Sequence, residues 1–106
     1  MLDISTGKVV RVIAIAREVG PDHPRLIDYI GGLNEDEQVS LVACMWIGRE
    51  SFDADEVEEA LRVAREERTS PTETYLAGEP GLADYLEAGM EALGLDVTEE
   101  EEHLRD

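Results

Sequence analysis

The sequence predicts an all-α protein: a compact bundle of five or six short helices, with no sheet. Three observations carry that expectation. Apolar residues recur at i, i+3, i+4 and i+7 in several separate segments, the spacing of one helix face. Residues that cap helix N-termini stand in front of these segments, three times with a glutamate three positions on. No stretch alternates apolar and polar residues as a half-buried strand does.

The first helix is expected over 6–19. Ser5 is its N-cap, because a serine oxygen can accept from an orphan backbone N–H of the first turn. Val9, Val12, Ile13 and Ala16 keep the period, and Val10 and Ile15 widen the apolar face beyond one stripe. Gly20-Pro21 stops it, since glycine tolerates a left-handed cap and proline cannot continue a helix. A short second helix starts at Pro24, a favoured first position, and ends at Gly31-Gly32. It carries Leu26, Ile27, Tyr29 and Ile30.

The stretch GGLNEDEQVSLVACMWIGRE, Gly31 to Glu50, holds the most unusual chemistry. Asn34 and Glu37 have the spacing of a capping box. Glu35, Asp36 and Glu37 all fall in the first turn, where the helix dipole stabilises negative charge. The run Val39 to Ile47 has Ser40 as its sole polar member, and a helix apolar nearly all round is a buried helix. Gly48 is expected to end it, with Arg49 a suitable cation at its carboxyl end. Asp53 and Glu56 make a second box and open a helix over 54–68, striped by Val57, Ala60, Leu61 and Ala64. Ser70, Pro71 and Glu73 read as cap, first-position proline and box partner of a short helix ending at Gly78. Pro80 is expected to open the last strong helix, 80–93, on Leu82, Tyr85, Leu86, Gly89, Met90 and Leu93, with Gly94 as its stop. Helices 6–19 and 35–47 should form the centre, and 54–68 and 80–93 should lean on them. The expected organisation is one domain, 1–94, and an acidic C-terminal tail, 95–106, partly disordered.

The net charge is −17, and it is unevenly placed. Residues 50–106 hold nineteen acids against four bases, whereas residues 1–30 are balanced. Proteins that bind nucleic acid displace counterions from phosphate with basic groups, so no nucleic-acid partner is expected. Anionic membrane surfaces are disfavoured for the same reason. No apolar stretch approaches the roughly 20 residues of a spanning helix, and MLDISTGKVV lacks the apolar core of an export signal. One cysteine cannot form an internal disulfide. The expected location is cytoplasmic.

The string GLNEDEQVSLVACMWIGR, the FDADE box and the segment TYLAGEPGLADYLEAGMEALG resemble a small bacterial family of helical proteins known as a domain of unknown function. The resemblance covers roughly residues 25–94. Its most specific parts are LNEDEQ, the Trp-x-Gly-Arg corner (Trp46, Gly48, Arg49) and LADYLE. A glycine often follows that arginine in the pattern, and Glu50 stands there in this chain. The resemblance implies a cytoplasmic helical protein and carries over no activity, cofactor or catalytic residue.

Candidate site residues are few. Cys44 lies in an apolar run with no neighbouring His, which predicts a buried structural thiol rather than a nucleophile. Trp46 is expected as a core anchor near a helix end, with an exposed binding residue as the alternative. Arg49 is a helix-terminal cation, or an anion-binding group at the mouth of the following loop. Asp53, Asp55, Glu56 and Glu59 fail the calcium-loop pattern, because Val57 stands at a ligand position and Glu58 at the glycine position. Glu100 and His103 have a di-iron spacing, but such sites need two of these motifs and two further glutamates. No cofactor or metal is expected. The interaction candidates are therefore Trp46, Arg49, Asp53 and Glu56. The lack of a catalytic constellation in one small domain, with the negative charge concentrated in residues 50–106, suggests a non-enzymatic module binding a basic protein partner. The alternatives are a small enzyme or ligand-binding protein with its site at the 46–53 loop, and a homodimer that hides surplus apolar surface.

Overall fold

Helix α3, Glu35–Gly48, runs through the middle of the molecule, as its all-round apolar surface requires. Val39, Leu41, Ala43, Cys44, Met45 and Ile47 are all buried. The computed structural model describes residues 2–68 and 71–95. The other helices are α1 (Thr6–Val19), α2 (Pro24–Gly31), α4 (Val57–Glu66), α5 (Thr72–Ala77) and α6 (Leu82–Ala92). There is no strand among the described residues, so the fold is an all-α bundle.

Local signals set most helix ends. Ser5 Oγ accepts from the Lys8 N–H at 3.2 Å and opens α1. The Asn34–Glu37 box is complete: Glu37 N–H donates to Asn34 Oδ1 at 2.8 Å, and Asn34 N–H donates to Glu37 Oε1 at 3.0 Å. His23, in the loop before Pro24, caps α2 by accepting the Arg25 N–H on Nδ1 at 3.1 Å.

Several expected boundaries move, and α3 continues through Gly48 to a C-cap at Arg49 instead of ending at the glycine. The 54–68 helix begins as a 3₁₀ turn, Ala54–Glu56, turns α-helical at Val57 and stops at Glu66. Tight first turns of this kind are common at helix N-termini. Pro71 sits at the N-cap of α5 rather than inside its first turn, and the expected Ser70 cap lies outside the described residues. The last helix starts at Leu82, not at Pro80. Glu79 Oε1 accepts the Gly81 N–H at 3.2 Å, and the Glu79 carbonyl accepts the Leu82 N–H at 3.1 Å, so Pro80-Gly81 form a turn ahead of α6.

The packing order also differs from expectation. Helices α1 and α3 do not form a central pair. Helix α6 packs against both of them, α4 flanks α3 on another side, and α2 bridges α1 to α5. The cause is a close approach of α3 and α6 at two glycines. A Cβ on Gly48 would stand 1.7 Å from the Tyr85 carbonyl oxygen, and one on Gly89 would stand 2.2 Å from that of Cys44. Cys44 and Gly48 are one turn apart on α3, as are Tyr85 and Gly89 on α6, so the two backbones touch along a seam one turn long.

Helix α1 is tied to the start of α3 by polar contacts. Lys8 Nζ lies 2.5 Å from Glu37 Oε2, and Asp3 N–H donates to the buried Ser40 hydroxyl at 2.7 Å. The Lys8 ammonium bonded to its carboxylate, together with the Asn34 N–H, holds Glu37 below the usual carboxylate range. A depressed folded-state pKa contributes stability above the unfolded value of about 4.3, and loses it as pH falls through the folded value. Glu37→Gln keeps an acceptor for the Asn34 N–H and removes the charge. The variant should therefore be less stable than the parent at pH 7, and the gap in urea midpoint should narrow as the pH is lowered from about 7 to about 3. An equal gap at both pH values would assign the loss to shape rather than charge.

Candidate functional site

The corner after α3 is a Schellman motif, the hydrogen-bonded helix stop that needs one left-handed residue. Ser51 N–H donates to the Trp46 carbonyl at 2.8 Å and Glu50 N–H to that of Ile47 at 3.0 Å. Glu50 is the left-handed residue, with φ 67°. Helix α6 ends in the same motif, Leu95 N–H to Met90 at 2.9 Å and Gly94 N–H to Glu91 at 3.0 Å, with Gly94 at φ 78°. The two corners differ in having glutamate or glycine at the strained position. A left-handed L-residue costs about 1–2 kcal/mol, and glycine's extra freedom in the unfolded chain returns about 0.4–1 kcal/mol of that. Glu50→Gly should thus raise the unfolding free energy by about 0.5–1 kcal/mol in urea titration. A loss of stability would mean that the Glu50 side chain itself anchors the corner.

The corner delivers Phe52 onto Trp46, with ring centroids 5.8 Å apart and planes 25° from parallel. The Trp46 indole N–H donates to the Tyr75 hydroxyl on α5 at 3.1 Å. Trp46 is half-buried, so it is an edge of the core rather than its anchor. It opens on a groove of about 550 Å³ between α3, α4 and α5. Val42, Trp46, Ala64, Thr72 and Tyr75 line it, and Glu66, Glu67 and Arg68 supply its charged rim. Tyr75 is the one large apolar side chain exposed among the described residues, at 43%. Sequence reasoning assigned Tyr75 only to a short helix. Six residues of α5 are too few to show which face is wet, so nothing local pointed to its pairing with Trp46.

The other candidates lie elsewhere. Arg49 turns toward the 79–81 turn, 3.9 Å from Glu79, and its Nε donates to Ser51 Oγ at 3.4 Å. Asp53 is the N-cap of the 3₁₀ turn and Glu56 its last residue, and Glu56 Oε1 accepts the Asp53 N–H at 2.8 Å. None of the three lines the groove, so the structure does not gather Trp46, Arg49, Asp53 and Glu56 into one pocket. Asp53, Asp55 and Glu56 each offer a carboxylate oxygen within 4.8 Å of the others, but all three are exposed. Capping accounts for their position. The Glu100–His103 pair lies outside the described residues.

Cys44 is fully buried on α3, with its thiol 3.5 Å from the Leu86 carbonyl as donor. Burial pushes its pKa up to about 12. The thiolate is the reactive form. Native protein at pH 8 should therefore resist iodoacetamide and react once unfolded in urea. Rapid alkylation of folded protein would show that α3 opens.

The cations of the fold are nearly all committed. Lys8 pairs with Glu37, Arg17 with Asp84 and Glu87, Arg25 with Glu18, and Arg49 with Glu79. Arg62 pairs with Glu59 and Glu66, Arg65 with Asp36, and Arg68 with Glu35. Among the described residues, Arg11 alone has no carboxylate partner. The acids in excess, Glu67 among them, face solvent.

Residues 23–95 match the model of a family described as "Protein of unknown function (DUF3775)", and since this is more than half of the chain, the chain belongs to that family. The matched segment holds α2 to α6, and with them the corner and the groove. No curated protein and no solved structure matches the chain.

Proposed function

We propose that this member of the DUF3775 family is a non-enzymatic interaction module that holds a basic protein partner against its acidic surface. The observation that carries the reading is the commitment of the cations. With seven of the described cations held by the fold's own carboxylates, the surplus acids set the outward field. Such a field steers a basic partner and makes its binding salt-dependent. The same pairing leaves little positive surface for phosphate, which weighs against a nucleic-acid partner. Among the described residues no helix is long and apolar enough to cross a membrane. Residues 96–106, outside the described part, add Asp96, Glu99 to Glu102 and Asp106 to the charge. The module is placed in the cytoplasm as part of the same proposal.

The homodimer reading rested on surplus apolar surface. Its support is slight, because Tyr75 is the single exposed large apolar group among the described residues. The ligand-site reading at the 46–53 loop is less favoured, because only Trp46 of that loop lines the groove.

The test is capture of partners by tagged protein at low and high salt, with a variant in which the 54–68 acids become amides. A discrete basic protein that is released by salt and lost in the variant supports the module. Specific partners that are indifferent to salt and to the amides would reduce the charge to a solubility device.

A further inference from the structure

We infer that the groove between α3, α4 and α5 is the docking site for a short basic amphipathic segment of the partner protein. An apolar side chain of that segment lies on the Trp46–Tyr75 floor, and a Lys or Arg meets the Glu67 carboxylate. The inference rests on the interaction-module reading and narrows it to one surface and one kind of occupant.

Three features converge there. The groove's volume, about 550 Å³, lies within the range of roughly 300–1,000 Å³ typical of ligand sites. Its floor is apolar and aromatic, and it includes Tyr75, the exposed large apolar side chain of the described fold. Its rim charges leave a vacancy for one cation. Arg68 is held by Glu35 and Glu66 by Arg62, while Glu67 has no cationic partner among the described residues. Charge also selects between occupants. A second copy of a chain with net charge −17 brings like charge to the rim, and so does the chain's own acidic C-terminal segment. A basic segment brings the complement. Aromatic floors with a carboxylate rim suit Arg and Lys, because the ring faces attract the cation and its methylene stem packs on them.

The sole tryptophan of the chain is in this groove, so its fluorescence reports on the site directly. The probes are a synthetic amphipathic peptide of Leu and Lys, the same peptide with Glu in place of Lys, and poly-lysine without an apolar face. The Leu/Lys peptide should shift Trp46 emission to the blue, saturably and more tightly than poly-lysine. Its affinity should fall about fivefold in Glu67→Gln, the scale of one exposed ion pair, and about tenfold or more in Tyr75→Ala, the scale of an interface anchor. Both residues are exposed, so the variants should melt close to the parent. Equal binding of the Glu peptide would overturn the charge argument. A Trp46 shift that grows with protein concentration alone would give the groove to a second copy. Salt-sensitive binding without any Trp46 response, weakened by Asp53→Asn, Asp55→Asn and Glu56→Gln but not by the groove variants, would sink the groove and leave the acidic module standing. No binding of either basic probe at low salt would sink both.

Discussion

Gly48→Ala and Gly89→Ala are each expected to lower the unfolding free energy by about 2–3 kcal/mol, the upper range of overpacking. In an isolated helix each change would favour the folded state, because alanine is better than glycine by about 1 kcal/mol. Here the added methyl meets backbone, 1.7 Å from Tyr85 O in one case and 2.2 Å from Cys44 O in the other. Backbone cannot rotate out of the way as a side chain can, so α3 and α6 must separate and every contact along the seam loosens. Gly32→Ala is the control. A Cβ there stands 3.5 Å from the Asp28 carbonyl, an ordinary contact, and φ is −80°. Its effect should stay within about 0.5 kcal/mol. Urea titrations of the three variants with a common slope decide the matter. Alanine at both seam positions behaving like Gly32→Ala would mean that the helices do not approach so closely.

Leu41→Ala is expected to cost about 3 kcal/mol, and Trp46→Ala about 2 kcal/mol, despite the larger side chain removed from Trp46. Leu41 is fully buried in α3 and its removal leaves an enclosed cavity. Trp46 stacks on Phe52 and bonds Tyr75, but one side opens on the groove, so water can enter the space it vacates. The order of the two losses is the informative quantity. A Trp46→Ala loss larger than that of Leu41→Ala would make the indole a core anchor, as the apolar run around it suggests. A loss under about 1 kcal/mol would place it wholly at the surface.

Local chemistry made much of this fold legible. The α1 limits follow from Ser5 and from Gly20, whose φ of 82° admits glycine readily. Pro24 starts α2, and the Asn34–Glu37 box starts α3, because each signal acts on backbone groups within four residues of itself. Pro80 misled for an equally local reason: proline suits both a first helical turn and the turn before it, and the Glu79 side chain decides in favour of the latter. The candidate site was legible only in part. Trp46 stood out by type and position, but its partner Tyr75 is 29 residues away, and Glu67 was one carboxylate among many on an acidic helix.

The sequence by itself determined the class of the protein: its helices, most of their ends, the burial of α3 with Cys44 inside it, and the excess of negative charge. Each of these follows from periodicity, capping or composition, which are properties of neighbouring residues. Only the tertiary structure decided which helices touch, that Gly48 is a helix contact while Glu50 makes the stop, where the cations find their partners, and that Trp46, Tyr75 and Glu67 share one groove. Those outcomes depend on how closely two backbones can approach and on which side chains meet across the chain. A single glycine written in a sequence is the same letter whether it ends a helix or admits another one.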